Sequence, residues 1–460
     1  MTGVDRRFGL GASLALTVAS TLLWGVAHLA VERRRTGLAL MAAYVLMLAG
    51  VLTVFTAYST KLLSLAVQPY WLAWFTVGVA VIALAWTGVI VWSFLLVRPE
   101  RSDTVGRFLT TTLTVALCAL VLAPTAYATR LAYLSRDVVN TLFTPSSTAA
   151  PVLAQDPWNG AERVNFLLLG GDAAPGRPGV RTDSMTVASV DVETGATVLF
   201  GLPRNLQRVQ LPTGPARDRF PYGFTGEGPD TPGLLNEIYQ FGEDHPEMVP
   251  GVEKGKRGST LLKATISDIL GIPVSYYAMV DMKGFAEIID AMGGVQVTIK
   301  DPIVYGKYRE GLLPAGTRRL SGQEALWYGR SRTDSDDYVR MGRQKCLLNA
   351  VAKQADPVTV LNSFERLAAA TKRAISTDLP QDLLPAVVDL AGKVKSARLR
   401  SLSFVPPLIN TAYPDWHLIR RKVKEALDPP AATRTAPAHA ASTTPTPTPD
   451  DPLTLDAVCH

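Results

Sequence analysis

Four long apolar runs crowd the first quarter of this 460-residue chain, and they limit its fold more than any other feature. They lie at about 8–31, 36–59, 71–97 and 108–128, and each approaches or exceeds the roughly 20 apolar residues that cross a bilayer core. A cleaved leader supplies one short apolar run, not four. Buried helices of a soluble protein seldom succeed one another with so little internal charge. Residues 1–131 therefore read as a membrane domain of four transmembrane helices.

The loops orient those helices. Glu32-Arg33-Arg34-Arg35 separates the first two runs and Arg98, Arg101 and Arg107 separate the last two, whereas only Lys61 lies between the second and third. The basic excess puts the first and third loops in the cytoplasm. Four crossings leave the N-terminus and everything after about residue 128 outside, although Arg6, Arg7, Arg130 and Arg136 pull weakly the other way. The expected location is the cell membrane, multi-pass, with a large extracytoplasmic C-terminal part. The net charge of +6 sits mainly in membrane loops and one arginine cluster, so it gives no ground for a nucleic-acid partner.

Residues 132–160, rich in Thr, Ser, Pro and Ala, read as a connector. Beyond them, strand-like runs at 164–170, 184–192, 196–202, 275–280, 295–300 and 398–405 alternate with helical patterns. The helical patterns fall at 232–243, 259–270, 282–292, 321–328, 337–354, 358–370 and 380–395. This alternation predicts an α/β domain over 161–427 with a central mixed sheet flanked by helices. Ser321 and Glu324 form a Ser-x-x-Glu capping box at one helix start. Residues 428–460, including Thr443 to Pro449, are too polar and proline-rich to bury a core and read as a disordered tail. Of the three cysteines, Cys118 lies in the fourth apolar run, while Cys346 and Cys459 lie where a disulfide is permitted.

The chemistry is concentrated in three charged pieces. Between Trp327 and Gln344, Arg330, Arg332, Arg340 and Arg343 stand among carboxylates at a helix start. Arginine's planar fork matches phosphate oxygens two at a time. The other pieces are Gly170-Gly171-Asp172 with Arg181-Thr182-Asp183, and Pro203-Arg204-Asn205. Asp172 falls just beyond one strand, Arg181 to Asp183 leads into the next, and Arg204 follows a third. Loops at neighbouring strand ends meet where open α/β sheets bind ligands. Two carboxylates beside such arginines suit Mg2+ (or Mn2+), with Asp172 and Asp183 as ligands and phosphate oxygens completing the shell. No His/Cys set has zinc spacing, and the histidines are too scattered for a Ser-His-Asp triad.

Arg340, Arg343 or Gln344, Leu347 and Val351 follow helical spacing along one stripe. For any one arginine, a solvated surface ion pair explains the residue equally well. The whole set argues for an anion site. Asn236 fits either that site or a helix surface. For the stripe Phe285, Ile288, Ile289 and Met292, core packing is preferred to a lipid channel.

Taken in order, these pieces resemble the LytR-CpsA-Psr family of bacterial envelope enzymes over 164–355. The resemblance rests on Asn165 to Asp172, Arg181-Thr182-Asp183, Leu202-Pro203-Arg204, Leu235-Asn236, Val280 to Phe285 and Met292 to Val295. It continues through Leu320 to Leu326, Arg330-Ser331-Arg332 and Asp337 to Gln344. It implies a Mg-dependent, membrane-anchored phosphotransferase that moves a glycopolymer from a polyprenyl-pyrophosphate carrier onto peptidoglycan, forming a phosphodiester. By motif position it assigns Asp172 and Asp183 to the metal. It assigns Arg181, Arg204, Arg330, Arg332, Arg340, Arg343 and Gln344 to the pyrophosphate, and Asp172, Arg181, Asp183, Arg204, Arg332 and Arg343 to catalysis. The implied partners are the lipid-linked glycopolymer, peptidoglycan and the bilayer, and the attacking group is a sugar hydroxyl.

Two departures stand out. Asn205 replaces the family's usual aspartate, which is expected to leave Arg204 without a charged neighbour. Four membrane helices replace the usual one. A polyprenyl-pyrophosphate hydrolase and a catalytically weak membrane scaffold are the competing readings. A periplasm-dependent reporter fused after Leu427 is expected to be active; activity there of a reporter that works only in the cytoplasm would reverse the topology.

Overall fold

The computed structural model describes residues 8–58, 68–99, 104–143, 156–172, 179–229, 231–333, 335–354, 363–428, 453–454 and 459. It divides into two units, Met1–Val139 and Asn140–His460. The first contains α1 (Leu10–Leu22), α2 (Val26–Ala30), α3 (Arg34–Tyr58), α4 (Pro69–Val97) and most of α5 (Thr104–Leu142). Among the described residues three helices are long and apolar enough to cross a membrane, over Arg34–Val54, Tyr70–Val97 and Thr104–Leu142.

The first expected transmembrane run, 8–31, is not among them. Gly25, in the left-handed region at φ 93°, splits it into helices of 13 and 5 residues. Other groups take up the backbone that the break releases. Ser20 Oγ accepts from the Ala27 N–H at 2.8 Å, and Trp86 Nε1 donates to the Thr21 carbonyl at 3.0 Å. A Cβ on Gly25 would lie 2.3 Å from the Gly37 carbonyl oxygen, so only glycine fits the corner. At the other end, α5 runs through 132–142, part of the expected connector, because no Gly or Pro interrupts the chain between Thr125 and Phe143.

Among the described residues the second unit holds eleven strands: β1 (Arg163–Asp172), β2 (Arg181–Asp191), β3 (Thr197–Leu202), β4 (Tyr276–Asp281), β5 (Val295–Ile299), β6 (Ile303–Tyr305), β7 (Gly311–Leu313), β8 (Gly316–Leu320), β9 (Ile375–Thr377), β10 (Leu399–Ser403) and β11 (Leu453–Thr454). Seven make the main sheet, in the order β11-β10-β3-β2-β1-β4-β9, while β5 pairs β8 and β6 pairs β7. The main sheet is mixed: β1–β4 and β3–β10 are parallel, the remaining pairs antiparallel.

Among the described residues its helices of seven or more residues are α6 (Ile238–Asp244), α7 (Arg257–Leu270), α8 (Met282–Ala291), α9 (Gly322–Arg330), α10 (Asp337–Gln354), α11 (Phe364–Ala374), α12 (Leu384–Ser396) and α13 (Trp416–Leu427). Alternation along the strands divides the core. Leu167, Val187 and Phe200 pack with Ile238, Leu262 and Ile419 on one face; Ala188, Val190 and Leu199 meet Leu390 of α12 on the other. β3, buried at every position, is covered on both faces. A smaller core joins Ile289, Val295, Leu320, Ala325 and Leu347 below the site. The Ser321–Glu324 capping box starts α9 as expected.

Two expectations shift. The helix expected at 358–370 is α11, with 355–362 outside the described residues. Part of the expected disordered tail is ordered. Leu453–Thr454 adds β11 to the sheet beside β10, and Cys459 forms a disulfide with Cys346 of α10 at a Cα–Cα distance of 5.4 Å. A covalent tie and a strand ladder hold what composition alone does not; residues 429–452 lie outside the described residues. Phe200 is fully buried and stacked on Phe404 at 6.2 Å. Phe200→Ala is therefore expected to lower unfolding free energy by about 3–5 kcal/mol, read from the urea midpoint.

Candidate active site

The site starts from an irregularity in one strand pair. Asp172 lies opposite Arg181 and Gly171 opposite Thr182, but Gly170 lies opposite Ser184, so Asp183 is an extra residue in β2. Without it, strand alternation would put Arg181 and Asp183 on the face opposite Ser184 and Thr186. The bulge shifts the phase, and all four line one cavity with Asp172 and Leu168. Asp172 and Arg181 thus lie inside strands, not in the loops expected for them.

Asp183 is the centre of the polar network. Its Oδ1 accepts from Arg204 NH1 at 2.8 Å and from Asn236 Nδ2 at 3.2 Å, and its backbone carbonyl accepts from Arg340 NH2 at 3.0 Å. Burial alone would push the Asp183 carboxyl up. The hydrogen bond and charge of Arg204, with Arg340 and Asn236, outweigh it and hold the group below its usual range.

Asp337, at the start of α10, collects a second set of guanidinium groups. Arg204 Nε lies 3.3 Å from its Oδ1, Arg340 NH2 3.1 Å from its Oδ2 and Arg332 NH1 3.8 Å from its Oδ1. The expectation for Asn205 therefore fails: Arg204 has two carboxylate neighbours from distant segments, Asp183 and Asp337. Arg340 is almost wholly buried, and burial pulls its guanidinium below the usual range against the charge of Asp337. Its Nε is buried with no hydrogen-bond partner among the described residues.

The cavity measures about 560 Å3. Its polar side holds Asp172, Arg181, Asp183, Arg204, Arg330, Arg332, Arg340 and Gln344; its apolar side is formed by Leu168, Val280, Phe285, Leu326, Leu348 and Val351 among others. Arg330 NH2 lies 3.7 Å from Asp172 Oδ2, and Gln344 Nε2 donates to the Gly329 carbonyl at 3.0 Å. Phe285 lines the cavity, whereas Ile289 of the same stripe is wholly buried in the smaller core.

Arg343 departs from this set. Successive helix positions turn by about 100°, so Arg340, Gln344, Leu347 and Val351 share a face that Arg343 flanks. Its NH2 donates instead to the Ser331 carbonyl and Ser335 Oγ, and it lines a second cavity.

Two residues escaped the sequence reading as site members. Asp337 looked like helix-start chemistry, although an Asp three residues before an Arg also signals an ion pair. Lys345 lines the first cavity, buried, with Nζ donating to Ser401 and Ser403; burial pushes its amine down to about 8. Among the described residues no group of three or more His, Cys, Asp or Glu side chains gathers as a metal site. Of the three carboxylates that line the cavity, Asp281 accepts from the Gly284 N–H at the start of α8; the other two, Asp172 and Asp183, suit a hard cation completing its shell with water and ligand oxygens.

A mixed sheet with helices on both faces, carrying a largely apolar cavity with one wall of guanidinium groups, defines an α/β protein whose candidate site pairs positive charge with apolar surface. The chain belongs to the LytR_cpsA_psr family, whose model matches residues 138–411. The polyisoprenyl-teichoic acid–peptidoglycan teichoic acid transferase TagU of Bacillus cereus is 27% identical over 224 residues, 48% of this chain and 62% of that protein. The chain thus spans less than two thirds of that relative. The Enterococcus faecalis protein of the same name is 25% identical over 256 residues, 54% of this chain and 73% of its own. The crystal structure of B. subtilis TagV aligns over 57% of this chain and 96% of its own, with a TM-score of 0.41 and 23% identity.

The lowered Asp183 pKa has a sign that can be tested. A carboxyl depressed by folding stabilises the protein above its unfolded value near 3.8 and loses that contribution as pH falls through the folded value. The melting temperature of Asp183→Asn is expected to lie below wild type at neutral pH and to converge with it below pH 3.8.

Proposed function

We propose that this chain is a membrane-anchored phosphotransferase that moves a glycopolymer from a polyprenyl-pyrophosphate carrier onto peptidoglycan. The observation that carries this reading is one cavity with an arginine-rich wall and an apolar wall. A diphosphate joined to a hydrocarbon chain matches both walls at once. The names carried by the Bacillus and Enterococcus relatives support the reading.

Arg181, Arg204, Arg330, Arg332 and Arg340, with Gln344, would hold the diphosphate oxygens and stabilise the charge that builds during transfer. Asp183 and Asp337 fix the aim of Arg204 and Arg340. Asp172 and Asp183 would hold Mg2+ or Mn2+, and the bound ion would neutralise phosphate charge. In the transfer, an acceptor sugar hydroxyl attacks the sugar-linked phosphorus and its proton passes to solvent. The bond from that phosphorus to the bridging oxygen breaks, a phosphodiester forms and polyprenyl phosphate leaves. Asp183, held acidic, is a weak base and a better ligand. Arg343, outside this cavity, is removed from the pyrophosphate and catalytic sets.

The basic loops support a catalytic unit outside the cytoplasm, a reading that the split of the first apolar run does not alter. With Arg33 to Arg35 inside, α3 leads out, α4 returns to the basic loop at 98–107, and α5 leads out again. Only the side of the N-terminus depends on residues 8–31.

Purified full-length protein with a polyprenyl-pyrophosphate glycan and peptidoglycan is expected to release polyprenyl phosphate and form the polymer–peptidoglycan phosphodiester. Arg204→Ala and Arg340→Ala are each expected to slow this about 100- to 1000-fold. Undiminished attachment in both variants would refute the assignment, and release without attachment would indicate hydrolysis.

A further inference from the structure

Arg330 lines the first cavity but is held less firmly there than Arg204 or Arg340. Those two make hydrogen bonds to carboxylates, at 2.8 Å and 3.1 Å. Arg330 NH2 lies 3.7 Å from Asp172, beyond hydrogen-bond length, and its side chain is 43% exposed. A long side chain so placed samples several rotamers, and ordering it opposes binding.

One neighbour limits that freedom. Trp327 stands one turn earlier in α9, and the Arg330 Cζ lies over its ring, 5.7 Å from the centroid, within cation–π range. The indole is itself fixed. Tyr305 of β6 stacks on it, with centroids 5.2 Å and planes 18° apart. Tyr305 in turn lies against Gly311, its cross-strand partner in β7, where a Cβ would fall 2.1 Å from the tyrosine Cζ. The Ser331 hydroxyl donates to the Val304 carbonyl and ties the end of α9 to the same strand.

Gly311, Tyr305, Trp327 and Arg330 therefore form a continuous series of contacts that ends beside Asp172 in the cavity wall. Core packing does not account for the indole: Ala325 and Tyr328 of α9 are buried in the smaller core, whereas Trp327 stays half-buried. Nor does Trp327 line the cavity, so its effect on a ligand there passes through Arg330.

We propose that Trp327 is a positioning residue for the donor diphosphate, its indole, backed by the β6–β7 pair, aiming the Arg330 guanidinium into the first cavity. The inference deepens the transferase reading and rests on it, since the diphosphate is the ligand that Arg330 would meet.

Titration of the full-length protein in detergent with inorganic pyrophosphate tests this. Trp327→Leu is expected to weaken binding about three- to tenfold, and Trp327→Phe, which keeps an aromatic face, by less than Trp327→Leu. Arg330→Ala should weaken it at least as much as Trp327→Leu. Adding Trp327→Leu to Arg330→Ala should cost nothing further, because the indole then has no guanidinium to aim. Equal weakening by Trp327→Leu with and without Arg330, or a Trp327→Phe protein as weak as Trp327→Leu, would mark a merely structural residue and overturn the proposal. If Trp327→Leu does not fold, the same cycle run with Trp327→Phe decides, its smaller loss again vanishing without Arg330. Pyrophosphate binding that Arg340→Ala loses but Trp327→Leu retains at wild-type strength would overturn the positioning role alone. Absence of pyrophosphate binding by wild type would overturn the donor reading, and this inference with it.

Discussion

The ion pair between Asp183 and Arg204 is the contact on which the site's geometry depends. It joins an extra residue in one strand to the loop after another, and both partners are largely withdrawn from water. A guanidinium so placed needs a carboxylate, and removing either side leaves the other charge buried. Asn236, Arg340 and Asp337 extend the pair into a network across four segments distant in sequence. Positive charge can therefore face one cavity without mutual repulsion dispersing it.

Helix α10 distributes chemistry by angle. Arg340, Gln344 and Val351 face one cavity, Gly342, Arg343 and Cys346 the other, and Leu347 reaches the smaller core. A turn of about 100° per residue suffices to assign neighbouring arginines to different tasks. Arg340 and Arg343, three positions apart, differ because one faces two aspartates and the other a backbone carbonyl and a serine.

Much of this was legible in the sequence. Strand alternation and capping chemistry located β1 to β4 and α9, because local periodicity and side-chain–backbone bonding determine such elements. The charged clusters pointed to Asp172, Arg181, Asp183 and Arg204 before any contact was known. What stayed hidden depends on geometry absent from a linear pattern. The bulge at Asp183 has no composition signal, Asp337 gains its role from partners as far away as Arg204, and a helical stripe that holds Arg340 and Gln344 borders Arg343 closely enough to include it, although Arg343 lines the other cavity. Gly25 lies inside the apolar run 8–31, and the corner its backbone turns leaves no trace in hydropathy.

The Cys346–Cys459 bond closes a ring of chain that contains β9, β10, α11, α12 and α13 and ends beside the sheet edge strand β11. Thiols stay reduced in most cytosols and oxidise beyond them. The ring can thus close only after synthesis has passed Cys459 and the polypeptide has met an oxidising milieu. Its closure ties that whole stretch of chain to α10, and a copy lacking Cys459 would leave Cys346 a free thiol beside the second cavity.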